Sequence, residues 1–358
     1  MLERLHEIDG GSSEVAQMRN AYDVWSKLGP TPVFDSYWEF AAKRQQALIR
    51  RLSGNEPPWS DDPVLQRYRF TNAYRACDRV SQYLIRHVIY DDTWSIRDIV
   101  FRILLFKIFN RIETWEALDK NFGPIAYDRF SETQFGDFLS QLKGNRVRIY
   151  SPAYIMPSPQ VYGFSEKHRN HLAMLRDMIE SGLPEALSRA KSMKDAVALL
   201  RRYHGIGPFL AYQYAIDINY SNVMNFCEMD YVIAGPGAID GIAKCFENPD
   251  ALRSEEIIRL VSLRQTEEFA KRGIEFVRIG ARPLQLVDCQ NLFCEISKYA
   301  RVVHPEYEGV AHRTRIKQVF RPRVSGQRLW FPPKWNIDDW PSSAADSRRV
   351  RHAENLFE

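Results

Sequence analysis

The stretch His204-Gly205-Ile206-Gly207-Pro208-Phe209-Leu210-Ala211 decides the fold of this chain. Apolar residues at helical spacing precede it over 193–203 and follow it over 209–218, which predicts two short helices joined by a tight turn. Glycine takes positive φ and has no Cβ, so such a turn can bring backbone N–H groups against a phosphate. We therefore predict a helix-hairpin-helix turn in which Gly205 and Gly207 contact the DNA backbone.

Carboxylates follow this turn, and Asp230 is the candidate catalytic residue. A buried carboxylate beside an extruded nucleotide would stabilise an oxocarbenium ion and orient or deprotonate a water molecule. The alternative is that Asp230 only caps a helix. Glu228 is the second candidate, whereas Asp217, at the end of the second hairpin helix, is expected to be solvated. Phe209 occupies the place where lyase-type glycosylases carry a Schiff-base lysine, so a water mechanism is expected instead of an imine.

Positive charge is concentrated late in the chain. The 358 residues carry 49 Lys and Arg against 45 Asp and Glu, a net charge of +4 that is weak support for nucleic-acid binding. The stretch 309–335, however, is rich in arginine and lysine and contains no acidic residue. From it we expect these residues to bind DNA: Arg313, Arg315, Lys317, Arg321 and Arg323.

Composition excludes several classes of protein. The 5 cysteines are scattered without a Cys-x-x-Cys pair, so we expect no metal site, no disulfide framework and no cofactor. The first ten residues are charged, and no apolar run is long enough to cross a membrane. We expect a monomeric cytoplasmic protein without a membrane partner.

Helical periodicity dominates and predicts an all-α fold. Residues 1–33 form an N-terminal extension, 34–303 a helix-hairpin-helix glycosylase-like domain, and 304–358 a basic, Pro- and Trp-rich C-terminal tail that is partly ordered at best. An apolar stripe runs from 64 to 89, and an extended loop is expected over 147–155. Helices are predicted at 34–52, 96–109, 131–142, 165–179, 194–203, 209–217, 238–246, 254–272 and 284–303.

Two further segments have open interpretations. Ala234-Gly235-Pro236-Gly237-Ala238-Ile239-Asp240-Gly241 departs from the dinucleotide-binding fingerprint, so it is expected to set close helix packing or to approach DNA. Asn110 and Arg111 end the most apolar helix and either cap it or line a pocket. The predicted substrate pocket consists of Asn110, Arg111, Tyr154, Phe209, Gln213 and Glu228.

Six co-linear motifs resemble the α-glutamyl/putrescinyl thymine pyrophosphorylase family, whose domain is also the helical part of phage 5-hydroxymethyl-deoxyuridine DNA kinases. The resemblance covers about residues 34–322. The motifs are Tyr37-Trp38-Glu39-Phe40-Ala41 with Arg44-Gln45, Arg69-Phe70-Thr71-Asn72-Ala73-Tyr74-Arg75 with Asp78-Arg79, Phe109-Asn110-Arg111-Ile112-Glu113-Thr114-Trp115, Gly207-Pro208-Phe209-Leu210-Ala211-Tyr212-Gln213, Ala234-Gly235-Pro236-Gly237-Ala238 and Cys294-Glu295-Ile296-Ser297-Lys298-Tyr299.

The resemblance implies a glycosylase-like fold and work on modified pyrimidines in DNA, in phage hypermodification or in bacterial defence against such phages. We expect a monofunctional DNA glycosylase that removes bulky hydroxymethylated or glucosylated pyrimidines from double-stranded DNA and leaves an abasic site. The alternative is a base-tailoring transferase acting on activated 5-hydroxymethyluracil, and a third possibility is a DNA-binding module without catalysis. The sequence has no Gly-x-x-x-x-Gly-Lys-Ser/Thr loop, so the fused kinase of the phage enzymes is absent from it.

Overall fold

A computed structural model describes residues 25, 27–152, 156–322, 328–337 and 340–341. Within these residues the regular structure is helical, and extended chain occurs only as isolated bridges. The all-α prediction is confirmed. The α-helices are α1 (Pro32–Leu52), α2 (Pro63–Arg67), α3 (Arg79–Tyr83), α4 (Ile96–Phe109), α5 (Ile112–Phe122), α6 (Glu132–Gly144), α7 (Lys167–Glu180), α8 (Leu183–Ser188), α9 (Met193–Leu200), α10 (Pro208–Asn219), α11 (Pro236–Cys245), α12 (Ser254–Lys271) and α13 (Leu286–Val303).

The chain divides into two compact units, each assembled from separated stretches of sequence. Unit 1 takes the described residues of Met1–Ala73, Ala234–Arg278 and Pro283–Ser325. Unit 2 takes those of Tyr74–Ile233, Ile279–Arg282 and Gly326–Glu358.

In unit 1, the glycine-rich segment that opens α11 allows this helix to approach α13 closely. A Cβ on Gly241 would overlap the carbonyl oxygen of Phe293, and a Cβ on Gly237 would overlap the thiol of Cys294. Glycine is therefore required by helix packing at these positions. Of the two interpretations of this segment, close packing is the one that the structure shows.

The apolar stripe over 64–89 does not form one helix. In unit 1, α2 ends at Arg67, and side chains satisfy the backbone that follows it: Arg44 donates from Nε to the carbonyl of Thr71 at 2.9 Å, and the Thr71 N–H donates to Glu295 at 3.2 Å. In unit 2 the chain resumes with a 3-10 turn at Arg75–Cys77 and with α3, which continues as a π-helical segment at Leu84–Ile89. Hydrogen bonds to residues distant in the sequence thus interrupt the helix that the local apolar spacing predicts.

Unit 2 is organised around α4, which is buried without interruption from Val100 to Phe109 and confirms the helix predicted at 96–109. Its serine N-cap, Ser95, accepts a hydrogen bond from the Asp98 N–H at 3.1 Å and so fixes where the helix begins. Two helices of this unit, α5 and α8, were not predicted. The described part of the 147–155 loop, 147–152, is irregular, as expected.

Both units include parts of the C-terminal segment. Residues 318–320 lie beside 67–69 in unit 1, where the Phe320 N–H donates to the Arg67 carbonyl at 2.9 Å. In unit 2, the Trp330 N–H donates to the Gln82 side chain at 2.8 Å, and Phe331 is buried. Aromatic burial therefore holds this late segment on the helices that precede it.

Candidate functional site

The two short helices and the turn between them that were predicted around Gly205 and Gly207 are present in the structure. Helix α9 ends at Leu200 and α10 begins at Pro208. Gly205 has φ +86°, which a side chain would strain, whereas Gly207 has φ −75° and is exposed at the N-cap position of α10. Contact of the two glycines with DNA stays a prediction.

Asp230 lies exposed in an irregular loop, and its N–H donates to the Cys227 carbonyl at 3.3 Å. The next helix begins only at Pro236, so the helix-cap interpretation is wrong. A buried carboxylate was expected here, and the exposure of Asp230 contradicts that expectation. Its participation in catalysis stays a prediction.

A buried polar cluster lies in unit 2, on α10 and the elements packed against it. Arg75 donates from Nε to Gln213 at 3.1 Å, and its terminal nitrogen donates to Asp217 at 2.8 Å and to the Tyr220 hydroxyl at 3.0 Å. Lys107, from α4, places its Nζ 3.2 Å from the second Asp217 oxygen. Every one of these five side chains is buried.

The cluster corrects the expectation for Asp217, which is fully buried and not solvated. Burial by itself would raise the pKa of Asp217, but Arg75 and Lys107 hold that pKa below its usual value. Burial lowers the pKa of Lys107, against the attraction of Asp217. The Asp78 carboxylate also raises the pKa of Lys107, so Asp217 is not the only anion that acts on this lysine.

A small, shallow pocket lies beside the cluster. Two members of the cluster, Gln213 and Lys107, also line this pocket. Phe209 is partly exposed and is not among the lining side chains. The lining residues are Lys107, Met156, Leu210, Gln213 and Tyr214.

Asn110 fits the capping interpretation of its position, and it is not among the residues that line the pocket. It ends α4 in the left-handed conformation, with φ 48°, and so caps the helix. Its side-chain oxygen also accepts a hydrogen bond from Lys107 at 2.9 Å, which ties it to the cluster. Arg111 instead has its Nε 3.5 Å from Glu113, and no such contact links it to Lys107 or Gln213.

Glu228 is buried and forms an ion pair with Arg282 at 2.9 Å. The Arg282 guanidinium lies 4.0 Å from the centroid of the Trp335 ring, and Trp335 packs edge-on against Tyr220 with centroids 5.6 Å apart. Since Tyr220 accepts a hydrogen bond from Arg75, these contacts connect Glu228 to the cluster indirectly.

Lys334 belongs to the basic stretch 309–335, and its ammonium group is engaged in hydrogen bonds within unit 2. Its Nζ donates to the carbonyls of Asn219, Ser221 and Met224, at 2.5, 2.8 and 2.6 Å. Burial lowers its pKa to about 8. Lys334 therefore caps the C-terminal end of α10, the helix that carries Gln213 and Asp217.

Other predicted residues lie elsewhere. Tyr154 and Arg323 fall outside the described residues, whereas the remaining four basic positions, Arg313, Arg315, Lys317 and Arg321, are exposed in unit 1. Within the described ranges, no three His, Cys, Asp or Glu side chains are placed to hold a metal ion, and no helix is long and apolar enough to cross a membrane.

The sequence analysis did not identify Arg75, Lys107 or Tyr220 as site residues. The available signal was Lys107, a lysine within the most apolar helix, because a charge at such a position needs a buried partner.

These observations define an all-helical domain with a buried cation–carboxylate cluster at a small pocket. The chain belongs to the family described as the helical domain of 5-hmdU DNA kinase, whose family model matches residues 31–309. The 5-hmdU DNA kinase of Bacillus phage SP10 is 26% identical over 289 residues, which cover 75% of this chain and 45% of that kinase. The chain thus spans less than half the length of this relative. No solved structure matches the chain.

These comparisons overturn the predicted glycosylase. The matched family and the phage relative are named for a DNA kinase, which is a transferase and not a hydrolase. The prediction of a defence glycosylase that removes bulky pyrimidines is therefore wrong, and the transferase alternative is favoured. The resemblance to the phage kinases is confirmed, whereas the grouping with helix-hairpin-helix glycosylases stays a prediction.

Proposed function

We propose that this chain is a transferase domain that acts on the 5-substituent of hydroxymethylated uracil in double-stranded DNA. The observation that carries the proposal is the family match over residues 31–309 to a domain of enzymes named for this modified nucleotide in DNA. Because the sequence holds no P-loop, the proposal assigns to it the step that follows phosphorylation.

In this step an amine attacks the 5-methylene carbon of a phosphorylated hydroxymethyluracil. The C–N bond forms while the bond between the methylene carbon and the ester oxygen breaks, and the phosphate leaves with the electron pair. The amine then loses a proton to solvent or to a nearby base. Negative charge grows on the leaving group, so a fixed cation at that point lowers the barrier.

Lys107 is the residue that we assign to the leaving phosphate. It lines the pocket, and its ion pair with Asp217 and hydrogen bond from Nζ to Asn110 fix the ammonium group. Arg75 holds Gln213 and Asp217 in place, so the pocket wall is preorganised.

The test uses synthetic duplexes that carry one 5-phosphomethyl-deoxyuridine, one 5-hydroxymethyl-deoxyuridine or only thymidine. Each is incubated with the protein and ¹⁵N-labelled amino acids and polyamines, then digested to nucleosides for mass spectrometry. We expect ¹⁵N in the nucleoside from the phosphorylated duplex, release of inorganic phosphate, and no change in thymidine. Release of a free base, or no product in any duplex, contradicts the proposal.

A matched pair of variants tests the assignment of Lys107. Lys107→Met should lower the transfer rate on the order of 100-fold, the usual cost of losing one preorganised electrostatic contact. The control is Lys143→Met, which removes a partly exposed lysine of the same unit and should leave the rate unchanged. Equal rates for the two variants would remove Lys107 from the mechanism.

A further inference from the structure

The left-handed end of α4 carries an asparagine where glycine would fit more easily. Asn110 has φ 48° and ψ 38°, and its N–H donates to the Phe106 carbonyl at 2.7 Å. Glycine is the usual residue in this conformation because a side chain is crowded there, and Gly163 fills it after the 3-10 turn at Gln160–Tyr162. The helix cap by itself therefore does not require the asparagine side chain.

The side chain of Asn110 has a partner of its own. Its Oδ1 accepts a hydrogen bond from the Lys107 Nζ at 2.9 Å, and both residues are 5% exposed. Water does not readily replace an acceptor at this depth, so the bond is costly to break. Asn336 shows the contrast. It has a similar backbone conformation, with φ 52° and ψ 42°, but it is exposed, and its side chain forms no hydrogen bond within the described ranges.

We infer that Asn110 is a positioning residue, which holds the Lys107 ammonium group at the place where the phosphate leaves. The inference rests on the proposed function in one respect, the assignment of Lys107 to that phosphate. Asn110 does not line the pocket, so it acts through Lys107 and not on the substrate. A second acceptor comes from α10, where an Asp217 oxygen lies 3.2 Å from the same Nζ. The two acceptors fix the ammonium group before the substrate binds.

The same hydrogen bond affects the charge of Lys107. Burial lowers the pKa of this lysine and Arg75 lowers it further, whereas Asp217 and Asp78 raise it. An acceptor bonded to the ammonium group favours the charged form, so the Asn110 oxygen acts in the same direction as the two carboxylates. Loss of that oxygen should therefore lower the pKa of Lys107, and the transfer rate should begin to fall at a lower pH as the solution is made alkaline.

The test replaces Asn110 by glycine, which keeps the left-handed cap and removes only the side chain. Asn110→Gly should lower the transfer rate on the duplex with 5-phosphomethyl-deoxyuridine roughly 10- to 100-fold, since a misplaced catalytic group costs about that much. The control, Asn336→Gly, makes the same change at an exposed left-handed position of the same unit and should leave the rate unchanged. NMR of lysine labelled with ¹³C at Cε reports the pKa of Lys107 in the free protein, and Lys107→Met identifies its signal.

Asn110→Asp keeps an acceptor and tolerates the left-handed conformation, so it should retain most of the rate and raise the pKa of Lys107. The inference is overturned if folded Asn110→Gly leaves the pKa of Lys107 unchanged, or leaves the rate unchanged while Lys107→Met lowers it. It is also overturned if Asn110→Asp is as slow as Asn110→Gly. Should the glycine variant fail to fold, a pKa of Lys107 that does not rise in Asn110→Asp overturns it. If no duplex gives product, or Lys107→Met keeps the full rate, the proposed function fails, and the NMR titration alone decides whether Asn110 holds Lys107.

Discussion

Replacing Asp217 by asparagine should destabilise unit 2 strongly, because it removes the only carboxylate among the buried charges of the cluster while keeping its volume. Asp217 lies 2.8 Å from Arg75 and 3.2 Å from Lys107, and all three side chains are buried. The two cations would then lose the buried carboxylate that lies between them. Asparagine can still accept a hydrogen bond from Arg75, so the loss reports mainly on charge.

Removing one partner of a buried ion pair costs about 3–5 kcal/mol. For a unit of this size, each kcal/mol corresponds to a change in melting temperature of roughly 2–4 °C. We therefore expect a drop on the order of 10 °C for Asp217→Asn. Adding Lys107→Met should restore about half of the lost stability, because it removes one of the two cations that Asp217 neutralises.

The measurement is the free energy of unfolding in urea at pH 7, monitored by circular dichroism. Asp137→Asn serves as the control, since this exposed carboxylate pairs with Arg169 at 2.6 Å and its loss should cost no more than about 1 kcal/mol. A cost within about 1 kcal/mol for Asp217→Asn, or a double variant no more stable than the single one, would refute the reasoning.

Three further outcomes are expected. Burial lowers the pKa of His171 to about 4, so the unfolded chain takes up a proton first as the pH falls, and wild type should lose about 2 kcal/mol more than His171→Gln between pH 7.5 and 5 in urea unfolding. Gly241→Ala should prevent stable folding because its Cβ meets the Phe293 carbonyl, whereas Gly144→Ala, with open space around its Cβ, should melt within a few degrees of wild type. Burial lowers the pKa of Lys334 in the folded protein to about 8, from a usual value near 10.5. The unfolded chain therefore binds this proton more tightly, so the contribution of Lys334 to the free energy of unfolding is largest above pH 10.5 and falls as the pH drops toward 8. The melting temperature of wild type should therefore rise relative to Lys334→Met from pH 7.5 to 10, and a constant difference would contradict this assignment.

Helices whose stability comes from one apolar face were predictable from the sequence. The periods in α1, α12 and α13 gave their positions within a few residues. The stripe over 64–89 failed as a predictor because Arg44 and Glu295 satisfy the backbone around Thr71, and neither partner is visible from local spacing. Apolar residues at helical spacing predict a helix only where the rest of the fold does not supply other partners for the backbone N–H and C=O groups.

The candidate site was less predictable than the fold. Asp217 looked like a solvated helix end because the sequence does not show that Arg75 and Lys107 meet it from other elements. Gln213 and Asn110 were identified by their place in motifs, without their partners. The predicted reaction depended on a turn and a downstream acid, and a fold-level cue of this kind does not determine chemistry.

The composition of the two units has a consequence for how the protein is made. Arg69 and Gln82 each form a hydrogen bond with a segment that the ribosome makes late: Arg69 with Gln318, and Gln82 with Trp330. At about 5–20 residues per second, a ribosome takes on the order of 10–50 s to deliver them, and during that interval the early helices stand without their closing segments. A product that ended after residue 309 would contain the whole matched region but would lack both of these late segments.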